Sequence, residues 1–159
     1  MYRTVNDFLM DWEKSADGTF KVLESLRDDK LNQAIVEGHS TLGWLGWHLT
    51  TSVSFFAKLV GLSVHIPGNP KNVPEKAQEI VEAYKLAAEE LKEQCRVKLT
   101  DEKLLEEVEG FGAPTPRGAI LRTLIDHQTH HRGQMTVLLR QAGLPVPGVM
   151  GPTKEEQQK

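Results

Sequence analysis

Apolar positions recur in steps of three and four along most of the chain. Phe8, Trp12, Ala16, Thr19, Val22/Leu23 and Leu26 carry the first run, which predicts an amphipathic helix over Thr4–Leu26. Gly18 falls inside it; a break at Asp17-Gly18 is the alternative, since a mid-helix glycine costs about 1 kcal/mol relative to alanine. Arg27–Lys30 reads as a polar turn, and Leu31–Gly38 as a short helical turn leading into a loop. Ser40 or Thr41 offers an N-cap for a second, strongly apolar helix running from Thr41 to about Val60, with Gly61 as its stop. Pro67, Gly68 and Pro70 mark a loop. A third helix opens near Val73 or Pro74 and runs to about Val97, with Ala77, Ile80/Val81, Tyr84, Ala88, Leu91 and Cys95 as its stripe. Thr100 caps a short helix through Glu107, and Gly110–Pro116 reads as a loop. The last long helix spans about Arg117 to Gln141, and Gly143 with Pro145 ends it. Its inner stripe, Ile120, Leu124, His127, His131, Gln134 and Leu138, is the most regular period in the sequence. Leu144–Pro152 reads as an extended, ordered segment. No strand pattern or internal repeat stands out. The expectation is an all-α fold: a four-helix bundle with a short extra helix, as one domain over residues 1–152, followed by a frayed polar tail over 153–159.

Composition narrows the function classes. At 159 residues, with 39% hydrophobic and 26% charged residues, the chain suits one soluble domain with a proper core. A net charge of −3 without any Lys/Arg run argues against a nucleic-acid partner. No apolar run approaches the ~18 residues that span a bilayer, so no membrane role is expected. The N-terminus lacks the apolar stretch of a signal peptide, and Cys95 is the single cysteine, so no intrachain disulfide forms. Both point to the cytoplasm.

The chemistry lies in the histidines. His127 and His131 stand four apart on the last long helix, which places both rings on one face. His48 lies within about 60° of Thr41, Trp44, Leu45, Ser52, Phe55 and Leu59 on a helical projection, so it is expected to point inward. Three imidazoles buried together without a partner would leave polar groups unsatisfied, at roughly 1–3 kcal/mol each. A shared divalent ion removes that cost. His130 lies off the stripe and is expected to flank the site, and His39 and His65 fall in loops as surface residues. A zinc-protease helix needs Glu where Gln128 stands. A di-iron bundle needs Glu three residues before each histidine, where Leu124 and Gln128 stand. A c-type haem needs a second cysteine. A mononuclear site of His48, His127 and His131 remains, with at least one coordination position open, the pattern of catalytic zinc. Such an ion lowers the pKa of bound water toward ~7, favours a thiolate or polarises a carbonyl.

Trp44-Leu-Gly-Trp47-His48-Leu49, then His127 to Gln134 reading His-x-x-x-His-Arg-Gly-Gln, then Gly143-Leu-Pro-Val-Pro147 together resemble the DinB/YfiT-like superfamily of four-helix metalloproteins. The resemblance runs from the first helix to Pro147. It implies an up-down-down-up bundle, often a homodimer, with His48, His127 and His131 at the positions that hold zinc, nickel or another divalent ion. It also implies an enzyme acting on a small molecule, because characterised members include transferases and isomerases that use glutathione, mycothiol or bacillithiol. Gln134 is expected either to position a ligand or water, or to be hydrogen-bonded inside the bundle. Arg132 is expected off the inner face, in a loop contact, a dimer contact or a helix-packing salt bridge.

Two functions follow. One is a metal-dependent enzyme, a thiol-dependent S-transferase first and a hydrolase second. The other is a non-catalytic metal-binding stress-response module.

Overall fold

Five of the helices begin where a side-chain oxygen takes up a free backbone N–H. The computed structural model describes residues 1–157; Gln158 and Lys159, the end of the expected tail, lie outside the described residues. It contains α1 (Val5–Glu24), α2 (Leu42–Leu59), α3 (Ala77–Lys98), α4 (Asp101–Leu105), α5 (Arg117–Gln141) and α6 (Lys154–Gln157). Thr4 caps α1 by accepting from Asp7 N, Thr41 caps α2 by accepting from Trp44 N, and Thr100 caps α4 by accepting from Lys103 N. Helix α3 starts at Ala77, later than the proline expected to open it. Its cap comes from elsewhere in the chain: Asp28, in a 3-10 turn over Asp28–Lys30, accepts from Ala77 N at 2.8 Å and from Lys76 Nζ at 3.0 Å.

Helices α2 and α5 stop as the glycines predict. Gly61 has φ +80° and Gly143 φ +71°. In each case the next residue closes the helix end, Leu62 N to Ala57 O at 2.8 Å and Leu144 N to Leu139 O at 2.9 Å.

Helix α1 packs on α3 and α5, and α2 packs on the same two. Trp12 Nε1 donates to Ala88 O while Asp28 caps Ala77, so α1 and α3 run antiparallel. Tyr2 pairs with Gly118 and Ser15 with Arg132, so α1 and α5 run parallel. Arg117 reaches Val60 O while His48 meets His127, so α2 and α5 run antiparallel. The result is an up-down-down-up four-helix bundle. The long 60–76 connection runs back along α2, tied to it by Ser54 Oγ to Val64 O and Trp47 Nε1 to Pro70 O.

Three sequence readings meet the structure. First, the unbroken helix holds over its alternative at Gly18, a packing site where a Cβ would lie 2.5 Å from Val149 Cγ1. Second, the expected 110–116 loop is the tip and second strand of a hairpin. Strands β1 (Glu107–Glu109) and β2 (Pro114–Pro116) pair antiparallel with Val108 opposite Thr115. Two prolines and two glutamates hid it, since they are poor strand formers. Third, the tail is packed as far as it is described. Thr153 and Glu156 form a reciprocal capping box, and Glu155 makes a two-pronged ion pair with Arg140 at 2.7 and 3.1 Å.

Candidate metal centre

Helices α2 and α5 meet along a groove that carries the three histidines expected from the sequence. Gly46 lets α2 approach its neighbours; a Cβ there would be 3.1 Å from Leu23 and 3.2 Å from Ile80. With Gly46, Leu45 and Leu49 turned to the core, His48 falls on the flank facing α5. His48 Nε2 lies 3.0 Å from His127 Nε2. The ring of His131 stands 4.6 Å from that of His48 and 4.5 Å from that of His127. One nitrogen from each ring lies within 4.8 Å of the other two.

These residues fit a divalent ion. Zinc–imidazole bonds of about 2.0–2.1 Å place tetrahedral ligand nitrogens roughly 3.3 Å apart, close to the His48–His127 spacing. Two facing imidazole nitrogens at 3.0 Å need either a proton or a cation between them. Burial is the first cause holding His127 neutral down to about 4, followed by the neighbouring His131, His48 and His130. Burial, then His131, lowers His48 as well. Both rings are therefore ready as neutral ligands at neutral pH. His127 Nδ1 is buried without a hydrogen-bond partner among the described residues, so Nε2 is the nitrogen through which this ring gains an interaction.

The surroundings orient the rings. Trp44 stacks face-on upon His48, ring centroids 4.7 Å apart and planes within 11°. It does so while 42% exposed, not buried as its place on the inner face suggested. Phe55, expected on the same face, is exposed too, whereas Phe56 packs against His127 with ring centroids at 5.4 Å. Gln134, expected either to position a ligand or water or to be hydrogen-bonded inside the bundle, is exposed, and its Oε1 lies 2.7 Å from His131 Nδ1. That bond leaves Nε2 of His131 to the centre, the arrangement by which outer partners fix a ligand's tautomer. His130 is exposed and flanks His131 edge-on at 4.8 Å, as expected. His39 and His65 are exposed and stand outside the triad.

Sequence reasoning missed the support behind the triad. Gln128 is fully buried. Its Oε1 accepts from Thr19 Oγ1 at 2.9 Å and Tyr84 Oη at 3.0 Å. Its Nε2 donates to Leu49 O at 3.1 Å and faces Ser52 Oγ at 3.4 Å. A residue placed to match a protease glutamate thus points away from the histidines into the core. Arg132, expected off the inner face, is 5% exposed. It donates to Ser15 O at 2.7 Å, Ser15 Oγ at 3.0 Å and Thr19 Oγ1 at 3.1 Å, joining α5 to α1 through neutral acceptors and not through a salt bridge. Burial lowers its pKa. The signal available in the sequence was Ser15 and Thr19 at helical spacing on the apolar stripe of α1, a polar pair that needed partners.

An up-down-down-up bundle with a histidine triad between its second and last long helices defines a class of helical proteins with a potential metal site. A model of the DinB family matches residues 1–159, and the chain belongs to that family. The chain is 42% identical over 159 residues to the uncharacterized protein YrdA of Bacillus subtilis (strain 168), covering all of this chain and 95% of that one. A crystal structure of a DinB-like protein from Bacillus cereus ATCC 10987 superposes with a TM-score of 0.89 at 41% identity, covering 94% of this chain and 99% of that one. The DinB-like protein YjoA of Bacillus subtilis, at 22% identity and a TM-score of 0.72 over 92% of this chain and 99% of that one, shares the fold. Family and triad together are compatible with metal binding. No described helix is long and apolar enough to cross a membrane.

Proposed function

We propose that the protein is a metal-dependent enzyme acting on a small molecule, with His48, His127 and His131 holding one zinc or nickel ion. The observation that carries this reading is the convergence of three imidazoles, two of them 3.0 Å apart, into a cluster without a carboxylate or thiol. When bound there, a divalent ion supplies Lewis acidity, since three neutral ligands leave its charge undiminished. The chain's part is positioning: Gln134 sets His131, Trp44 sets His48, and Phe56 shields His127 from water.

Thiol transfer to a small electrophile is the reaction we put first. The chain's own sulfur cannot serve, because Cys95 is fully buried and burial pushes its thiol up to about 12. A low-molecular-weight thiol from outside is the partner this reading requires. A homodimer, implied by the family, belongs to the same reading. The second reading, a metal that staples the bundle without turnover, is supported by the ligands' coming from two helices.

Metal analysis of natively purified protein beside His48→Ala tests the centre. One equivalent in the wild type and none in the variant is expected; full retention in the variant removes the site. Turnover of thiol-plus-electrophile pairs, lost in His127→Ala with the fold intact, supports the enzyme. Blank thiol-transfer and hydrolase screens with the metal-loaded protein leave the staple.

A further inference from the structure

Gln134 belongs to two structures at once. Its Oε1 holds His131, and its side chain also lines a cavity of about 230 Å³ with Ile35, His39, Ser40, Leu45, Val137 and Leu138. Leu45 stands one helical turn before His48 on α2, and Gln134 one turn after His131 on α5. Because the two helices run antiparallel, both walls lie on the same side of the triad, about 5 Å along the groove. The loop bearing Ile35, His39 and Ser40 forms its outer wall and leaves it open to solvent on one side, with Ile35 and Val137 both exposed. It is held to the start of α2 by Leu42 N to Gln33 O at 2.9 Å and Gly43 N to Leu31 O at 2.8 Å.

The lining states what the cavity takes. Among the described residues, no Asp, Glu, Lys or Arg contributes to it. A charged group placed against these walls would lose part of its water without gaining a counter-charge, whereas an apolar group gains roughly 25 cal/mol per Å² buried. An apolar cavity of about 150 Å³ accepts benzene, so this one has room for a substituted ring or a branched alkyl chain. Gln134 Nε2 makes no hydrogen bond among the described residues, which leaves its N–H groups for an acceptor on a ligand.

We propose that this cavity is the subsite for an uncharged apolar group of the substrate, one aromatic ring or a branched alkyl chain in size. Gln134 joins it to the triad, orienting His131 through its oxygen and donating to an oxygen of the substrate through its nitrogen. The assignment rests on the reading of the triad as a catalytic metal centre.

Methyl NMR of the Ile/Leu/Val-labelled full chain, titrated with benzyl alcohol, tests it. Saturable shifts are expected at Ile35, Leu45, Val137 and Leu138, and none at Val22 or Ile80 in the core. Benzoate, the same ring with a carboxylate, is expected to bind about tenfold more weakly or worse. Val137→Trp, at a position 47% exposed and so tolerant of bulk, should weaken benzyl alcohol about tenfold while leaving zinc binding unchanged. Ile35→Trp fills the cavity from the opposite wall and should do the same if the first variant folds poorly. Gln134→Leu should keep the ring bound and lower zinc affinity. Shifts confined to exposed methyls outside the cavity, such as Leu86 and Leu105, equal binding of benzoate, or benzyl alcohol binding untouched by both tryptophans would overturn the subsite. A zinc titration of the same sample separates the two ideas. Zinc binding without cavity binding sinks the subsite alone, and cavity binding without zinc binding sinks the catalytic reading on which it rests.

Discussion

Gln128 is tied to the residues next to both facing ligands. It follows His127 in the chain, and its amide nitrogen reaches the carbonyl of Leu49, which follows His48. The amide therefore sets the distance between α2 and α5 at the height of the triad. Gln128→Leu keeps the volume and removes the bonds, taking away the acceptor of the buried Tyr84 hydroxyl, while Thr19 keeps Ser15 O and Arg132. It should cost about 2–4 kcal/mol in a urea melt and about tenfold or more in zinc affinity by competition titration. A variant that loses stability and keeps wild-type zinc affinity would mean the network supports the fold without setting the ligands. Gln128→Glu, which creates the protease string in the sequence, is expected to bring no hydrolytic base to the centre, because the side chain faces Tyr84 and burial already pushes that hydroxyl's pKa up.

At the scale of elements, the helices were legible and their rotation was only partly so. Thr41, Gly61 and Gly143 announce the ends of α2 and α5 through local backbone chemistry, which a sequence carries directly. The buried arc of α5 is another matter. Its residues, among them Leu121, Leu124, Met135 and Leu139, centre on Gln128, and His127 sits about 100° away at the edge facing α2. A projection centred on the histidines takes that edge for the middle, which puts Gln134 on the inner stripe and Arg132 off it. A helix packed against two neighbours buries a wide arc, and polar residues satisfied within it look like surface from sequence alone. On α2 too the histidine stands at an edge: Trp44 and Phe55 beside it are exposed, while Leu45 and Leu49 fill the core. Gly18 shows the same limit in α1, where the glycine answers a contact with Val149 far along the chain. Gly18→Ala should destabilise the protein by about 1–3 kcal/mol through overpacking, although alanine favours the isolated helix by about 1 kcal/mol. A melting temperature raised by the substitution would show that Val149 moves aside at no cost.

At the scale of the whole molecule, the triad couples stability to both metal and pH. His127 has its pKa lowered from 6.5 to about 4 in the native protein. Above about 6.5 the ring is neutral folded and unfolded alike, and the group contributes no pH dependence. As pH falls through 6.5, the unfolded chain takes a proton that the native protein refuses, so the metal-free bundle loses stability down to about 4, where the native ring protonates too. After discounting for solvent, the loss is on the order of 2 kcal/mol. A divalent ion acts in the opposite sense, adding about 4 kcal/mol at a thousandfold excess over its dissociation constant. It binds the neutral rings, so its contribution shrinks as they protonate. Melting temperatures measured with zinc and with chelator should therefore lie far apart at pH 7.5 and converge toward pH 4, while the chelated sample alone already declines below pH 6.5. In His48→Ala, His127 loses one of the neighbours that lower its pKa along with the facing ligand. The zinc-dependent gap should close at every pH in that variant, and the acid decline of the chelated protein should become shallower. A gap that survives the substitution would place the stabilising ion somewhere other than between α2 and α5.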